Sequence, residues 1–359
     1  MLSPDDQSTN VRYGRFDRLL HNVALGFTPF LELSFDIETA IFEKKTEPLT
    51  AQKPVFICGL ARSGTSLLLR KLHETGGFSS LTYRDLPFPL APNLYARLQG
   101  NTSRQVVTHE RSHGDGLTHD LESPEAIEEL FWGMRCHKLF RRNTHLSAMQ
   151  ADWETTEAFK KYVKLIILRY GRSRYLSKNN NNILRLSSIL AAFPDAHLVH
   201  PFRSPLQHAA SLLNQHNRTK LLQKDDPFRL RFMRHMGHFE FGLDHRPFEL
   251  NGKLPAMDDP QSLDYWLGHW IYIYTFLLSQ DAAIAKAQIF FDYDHYCLCP
   301  ETNTSVLLKL LAAETMMFAE NQTSIRQPTP HHTGQVDHKL LQQAEGIHRR
   351  LLDRSIHSI

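Results

Sequence analysis

The sequence predicts an α/β protein, a doubly wound parallel sheet flanked by helices with a helical segment ahead of it, and three observations carry that prediction. Val55-Phe56-Ile57-Cys58 is a short, unbroken apolar run, the pattern of a strand buried on both faces as in a parallel sheet. A glycine-bearing turn follows at once, and Leu67, Leu68, Leu69 and Leu72 then recur at helical spacing until Gly76-Gly77 stops them. Downstream, helical patterns continue to alternate with short apolar runs, which is the rhythm of strand–helix–strand units.

Each element has its own signal. Leu19, Leu20 and Val23, then Leu31, Leu33, Phe35 and Ile41, sit at helical spacing, with Gly26 and Pro29 punctuating the join. After the first strand–turn–helix unit, the pattern predicts a helix from Thr156 to Tyr170 and a strand from Ser173 to Ser177. A helix from Leu184 to Ala192 follows, then a strand over Ala196 to His200 and a helix opening at Leu206 to Leu213. Trp266 to Ala287 reads as one long core helix, and Ile289-Phe290-Phe291 as the strand after it. No Pro/Gly/Ser-rich linker divides the chain. The expected layout is a helical segment over 1–52 packed on the core, a main domain over 53–325, and a closing loop and helix over 326–359. No internal repeat stands out, and Asn179 to Asn182 is the only low-complexity patch.

Composition narrows the function classes. At 42% hydrophobic and 22% charged residues, the 359-residue chain is not disordered, collagenous or coiled-coil. A formal charge of +3, from 41 Lys+Arg and 38 Asp+Glu, is too small to indicate a nucleic-acid partner. The 21 histidines are the more unusual feature, because mild acid or a polyanionic ligand protonates such groups. Cys58, Cys136, Cys297 and Cys299 are too few and too irregular for a disulfide scaffold. Cys297-Leu298-Cys299 has no matching second pair to complete a zinc site, so no metal is expected. The N-terminus shows no signal-peptide pattern, and Trp270 to Leu278 is far short of a membrane span, so a cytoplasmic, thiol-reduced protein is expected.

The turn after the first strand carries the chemistry. Gly59-Leu60-Ala61-Arg62-Ser63-Gly64-Thr65-Ser66 keeps the G-x-x-x-x-G-K-[ST] spacing of a phosphate-binding loop, with Thr65 where the lysine stands. Small residues let backbone N–H groups converge on an anion, and the helix start adds about half a positive charge. A P-loop NTPase-like sheet is therefore expected. Without the lysine that neutralises a triphosphate beside Mg²⁺, ATP is poorly served, whereas the forked cation of Arg62 suits a less charged terminal group such as a sulfuryl. A second set, His200-Pro201-Phe202-Arg203-Ser204-Pro205, lies at the carboxyl end of a predicted strand, with Ser211 eight residues beyond Arg203. Ligands of open α/β sheets collect there, and an arginine with a serine can clamp a second phosphate.

With these residues in place, Val55 to Leu72 and Arg174 to Leu213 resemble the sulfotransferases that use 3′-phosphoadenosine 5′-phosphosulfate, especially the bacterial and protein-tyrosine branch. The likeness spans both donor motifs and continues weakly through Leu263 to Glu314, about two thirds of the chain. It implies that Arg62, Ser63, Gly64, Thr65 and Ser66 cradle the 5′-phosphosulfate and that Lys178 contacts the sulfuryl group in flight. It also implies that Arg203 and Ser211 hold the 3′-phosphate, and that no metal takes part. The co-substrate would leave as adenosine 3′,5′-bisphosphate.

Transfer also needs a base for the acceptor's proton. The resemblance points to an acidic residue some twenty positions past the loop, where Asp85 is the nearest carboxylate, beside Arg84. His113 and His119, in the glycine-bearing stretch His109 to Ala126, are the rivals. Two features depart from the family pattern. Phe291-Asp292 stands where a tyrosine precedes the acid near the adenine, so no tyrosine bonds the adenine there unless Tyr293 does. The acceptor segment does not look like that of enzymes acting on protein tyrosine. The tail Arg326 to Leu341 resembles loops that fold over the donor. The expected acceptor is a hydroxyl or amine on a small molecule, glycan or lipid, with the oligomeric state unreadable. A nucleotide-dependent kinase of the same fold and a non-catalytic nucleotide-binding scaffold are the alternative readings.

Overall fold

A computed structural model describes residues 25–99, 109–110, 118–119, 127–256, 259–313, 325, 330–331 and 334–356. Among the described residues, five strands form the central sheet, all parallel: β1 (Val55–Ile57), β2 (Phe78–Ser79), β6 (Arg174–Lys178), β7 (His197–Phe202) and β9 (Gln288–Asp292). Their order is β2-β6-β1-β7-β9. The chain leaves β1 for the far edge, returns beside β1 as β6, then crosses to its other side as β7. The loops after β6, β1 and β7 therefore open together at the carboxyl edge, where the strand order reverses. Two short pairs lie outside this sheet, β3 (His109–Glu110) with β4 (Thr118–His119), and β5 (Leu146–Ser147) with β8 (Phe248–Glu249).

Side chains of a strand alternate between faces, and here the two faces found two cores. Phe56 joins Tyr175, Phe159 and Phe193 in an aromatic cluster on one side. Val55, Ile57, Leu176, Val199 and Phe291 face the other, against Leu67, Leu68 and Leu72 of α2 (Thr65–Glu74). The first side is covered by α1 (Thr28–Thr46), α4 (Glu129–Phe140), α5 (Trp153–Tyr170) and α6 (Leu186–Ala192), with α3 (Pro92–Gln99) against α1 and α5. Toward the C-terminus come α7 (Pro205–Asp225), α8 (Pro227–His235), α9 (Leu263–Leu278), α10 (Ala282–Ala287), α11 (Tyr293–Leu298), α12 (Pro300–Leu310) and α13 (His338–Asp353). α9 packs on both α7 and α13.

The structure corrects two elements. The single helix expected from Trp266 to Ala287 is two, α9 and α10, broken at Ser279–Asp281 because the Asp281 carboxylate caps the N–H groups of Ala283 and Ile284 and restarts the helix. The helix expected from Leu184 begins instead as a tight 3-10 turn over Asn180–Arg185, with α6 following. Of the expected N-terminal helices, the second is α1; residues 1–24 lie outside the described part. Among the described residues, no helix is long and apolar enough to cross a membrane.

Candidate active site

The loop after β1 is held open by its backbone. Arg62 and Gly64 both take the left-handed conformation, φ +70° and +88°. Glycine does so freely, but at Arg62 it is strained for an L residue and must be held by its surroundings. Gly64 is the N-cap of α2 and brings no capping side chain, so the helix start is not covered from within. A Cβ there would run into the Tyr293 ring, which packs directly against the loop. Ser63 turns inward: buried, its hydroxyl donates to the Leu60 carbonyl at 2.7 Å. Thr65 and Ser66 open α2, Thr65 buried and Ser66 partly exposed.

Two buried histidines support this loop from below, His200, which the sequence placed only at the start of the second set, and His208, which it did not single out. His200 Nδ1 lies 2.5 Å from the Cys58 carbonyl and His208 Nε2 lies 2.8 Å from the Ala61 carbonyl. A carbonyl only accepts, so each ring nitrogen carries the proton it donates. Burial pushes both imidazoles down, to about 4 for His200 and about 3 for His208, so both rings are neutral. Tying loop carbonyls inward this way leaves the opposite face of the peptides for an anion.

The second anion set meets the first. Arg62 Nε donates to Ser211 Oγ at 3.3 Å, and Arg203 Nη1 donates to the Arg62 carbonyl at 3.3 Å. Arg203 is the last link of a chain from β9: its Nε donates to Asp294 Oδ1 at 3.1 Å, and its guanidinium sits over the Tyr293 ring at 5.5 Å. Asp294 also accepts from the Ser204 N–H at 2.8 Å. Asp294, two residues past Asp292, was not singled out from the sequence. Phe291 itself is fully buried against Tyr296, whereas Tyr293 faces the loop. From the tail, Pro330, His331 and residues 334–341 are described. The His331 N–H donates to Gln207 Oε1 at 2.7 Å, Gln207 Nε2 donates to the His331 carbonyl at 3.3 Å, and His331 Nδ1 lies 3.1 Å from Asn214 Nδ2, which places it on α7. Burial first, then the charges of Arg203 and Arg62, lower its pKa.

Lys178 closes the same edge. It is the last residue of β6, level with Ile57 of β1, and only 8% exposed. The Asn179 to Asn182 patch is no solvated repeat, because each side chain has its own hydrogen-bond partner. Asn179 donates to Glu129 at 2.8 Å, Asn180 to Glu240 at 2.8 Å, Asn181 to the Gly237 carbonyl at 3.1 Å and Asn182 to Glu128 at 3.0 Å. Glu129 also receives Arg185 at 2.8 Å; Glu128 receives Trp132 at 3.0 Å and Tyr175 at 2.9 Å. These donors offset the cost of burying the carboxylates, and the network sets the turn that follows Lys178.

Asp85 is buried, in the 3-10 turn Tyr83–Asp85. Its Oδ2 accepts from the Thr82 N–H at 2.9 Å and the Tyr170 hydroxyl at 2.5 Å, and Arg169 lies 3.8 Å from Oδ1. His119 pairs in register with His109 in the antiparallel β3–β4 pair, and His113 lies outside the described residues. Cys297 is buried and Cys299 exposed, both as free thiols, and among the described residues no three metal-ligating side chains converge.

Comparison with known proteins gives three findings. The profile of the Sulfotransferase family matches residues 54–244. No curated protein matches the chain. Among solved structures, sulfotransferase STF1 from Mycobacterium tuberculosis H37Rv is similar at 15% identity and a TM-score of 0.49, over 93% of this chain and 80% of that one. Sulfotransferase STF9 from Mycobacterium avium is similar at 13% identity and a TM-score of 0.46, over 95% and 79%.

Proposed function

Because this chain belongs to the sulfotransferase family, and so is an enzyme of sulfuryl transfer, we propose that its donor is 3′-phosphoadenosine 5′-phosphosulfate, held by the loop after β1 together with Arg203 and Ser211. The observation that supports this most is the joining of the two anion motifs: Arg62 reaches Ser211, 149 positions away, at 3.3 Å. A donor with a 5′-phosphosulfate and a separate 3′-phosphate needs two adjacent anion sites of this kind, and a triphosphate does not.

In this reading the α2 N-terminus and the N–H groups of Gly64, Thr65 and Ser66 receive the 5′-phosphosulfate. Ser63 shapes the loop, its hydroxyl being directed inward. As the acceptor oxygen attacks sulfur in line, the bond from sulfur to the phosphate oxygen breaks. Arg62 then stabilises the charge growing on that oxygen, and Lys178 the equatorial oxygens of the sulfuryl. Arg203 and Ser211 hold the 3′-phosphate, with Asp294 and Tyr293 fixing the guanidinium plane. His331, seated on α7, covers this end of the donor. The acceptor is a hydroxyl or amine on a small molecule, and the enzyme works in the cytoplasm. Its proton acceptor is one of Asp85, His113 and His119. Asp85 serves only if acceptor binding draws the Tyr170 hydroxyl away from its carboxylate.

The test follows from the 3′-phosphate. A charge-assisted pair contributes about 1.5–3 kcal/mol, so Arg203→Ala is expected to weaken adenosine 3′,5′-bisphosphate roughly 10- to 100-fold. Adenosine 5′-phosphate, which lacks that group, should change by less than about threefold. Equal losses for both nucleotides would remove Arg203 from the 3′-phosphate site.

A further inference from the structure

The first helix, α1, is apolar on two sides. Leu31, Phe35 and Phe42 turn one side into the core, with Glu38 and Thr46 buried along the same stripe. The side away from a core is ordinarily polar. Here it carries Leu33, Ile37 and Ile41, which are 56%, 43% and 51% exposed. Standing four residues apart, they form one continuous ridge along the helix. Exposed apolar side chains scattered singly need no explanation. Elsewhere they are single: among the described residues, no other helix carries more than one large exposed apolar side chain. The ridge on α1 is therefore a surface built to be covered.

The residues beside the ridge say what covers it. The adjacent row on the same face is Asp36, Ala40 and Lys44, all exposed. Ala40 is small, so a groove runs beside Ile37. When two helices cross with rows of this kind, the ridge of each enters the groove of the other at about −50°. An antiparallel crossing of two α1 helices sets Ile37 of each copy against Ala40 of the other, and Leu33 against the stem of Lys44. Asp36 of each copy then lies within one helical turn of Lys44 of the other, so the opposite charges meet twice. In a parallel crossing, Asp36 would face Asp36 and Lys44 would face Lys44. A patch that complements itself in this way is what a two-fold axis requires. A lipid surface fits poorly, because interfacial helices carry a basic polar face, whereas the exposed charges on α1 are Glu32, Asp36 and Glu43 against Lys44 and Lys45.

We propose that the outer face of α1 is a self-association surface: two copies of this chain pair across a two-fold axis, with the Leu33–Ile37–Ile41 ridge of each in the groove at Ala40 of the other and with Asp36 set against Lys44 at both ends. This is independent of the donor reading, since α1 carries none of the residues assigned to the donor.

Sedimentation velocity of the full chain over about 1–200 µM tests it, because one helix crossing buries less than the ~1,200 Å² of a standard interface and so predicts a micromolar dimer. The mass should rise with concentration from 41.5 kDa toward twice that value. Ile37→Glu buries a carboxylate at the crossing and should weaken association roughly 100-fold, leaving a monomer whose urea midpoint is unchanged. Asp36→Lys and Lys44→Asp each set like charges together and should weaken it roughly tenfold, and the double swap should restore it. A mass that stays at 41.5 kDa across the range overturns the proposal. So does a dimer that Ile37→Glu leaves intact, or a double swap that associates no better than either single change. A wild-type monomer that floats with phosphatidylserine vesicles, and no longer does so as Ile37→Glu, assigns the face to a membrane and overturns the proposal equally.

Discussion

Arg62→Ala is expected to lower sulfuryl transfer by about 10³-fold, the loss that follows removal of a donor aimed at developing charge. The guanidinium is the only cation the loop itself carries, since Thr65 occupies the lysine position. Donor affinity should fall much less, because the backbone N–H groups of the α2 start and the Arg203–Ser211 pair remain. The substitution is also a clean one. Residue 62 sits at φ +70°, and alanine keeps the Cβ that makes this conformation strained, so the backbone is disturbed no more than in the native chain. Release of adenosine 3′,5′-bisphosphate from the donor, followed with a panel of phenols and alcohols as acceptors, measures turnover. Calorimetry measures affinity. Near-normal turnover would remove Arg62 from the mechanism.

Acid is expected to unfold the protein steeply, with most of its stability lost between pH 6.5 and pH 5. Buried histidines carry this effect. Burial holds His208, His216 and His269 down to about 3, and His200 and His245 to about 4. In the unfolded chain each returns to about 6.5. Below that pH the unfolded state binds protons that the folded state refuses, so stability falls as pH falls, by about 1.4 kcal/mol per pH unit for each such group. The loss continues until the folded-state values are reached. Glu240 adds to it at lower pH, since its depressed pKa contributes stability that is present above the ordinary carboxylate range and lost as the pH approaches about 2. Against a typical margin of about 5–15 kcal/mol, these rings titrating together leave little by pH 5. Urea midpoints at half-unit pH steps test this, and a midpoint flat from pH 7 to pH 5 would contradict it. His200 and His208 also hold the phosphate loop, so bound adenosine 3′,5′-bisphosphate should move the transition to lower pH.

What was legible in the sequence is what acts locally. An apolar run, a glycine turn and a helical stripe are contiguous, so β1, the phosphate loop and α2 followed directly from residues 55–76. Arg203 and Ser211 were expected near the loop because the carboxyl end of a parallel strand is a general collecting point for ligands, and both contact Arg62. What remained hidden depends on partners far off in the chain. The asparagine patch read as low complexity because Glu129, Glu128, Gly237 and Glu240 stand 50 to 60 positions away from the residues they bind. The support that His200 and His208 give the loop carried no signal, because the Cys58 and Ala61 carbonyls they bond lie 142 and 147 positions away. The break between α9 and α10 was written in Asp281, but the apolar stripe on both sides outweighed a single capping residue.

The central claim is that the two anion sites meeting at Arg62 hold one nucleotide with a 3′-phosphate. Calorimetric titration with adenosine 3′,5′-bisphosphate in EDTA, set against ATP with Mg²⁺, tests it most directly. Tight, metal-free binding of the bisphosphate with weak binding of ATP is the predicted result. A preference for ATP with Mg²⁺, or no binding of either, would contradict it.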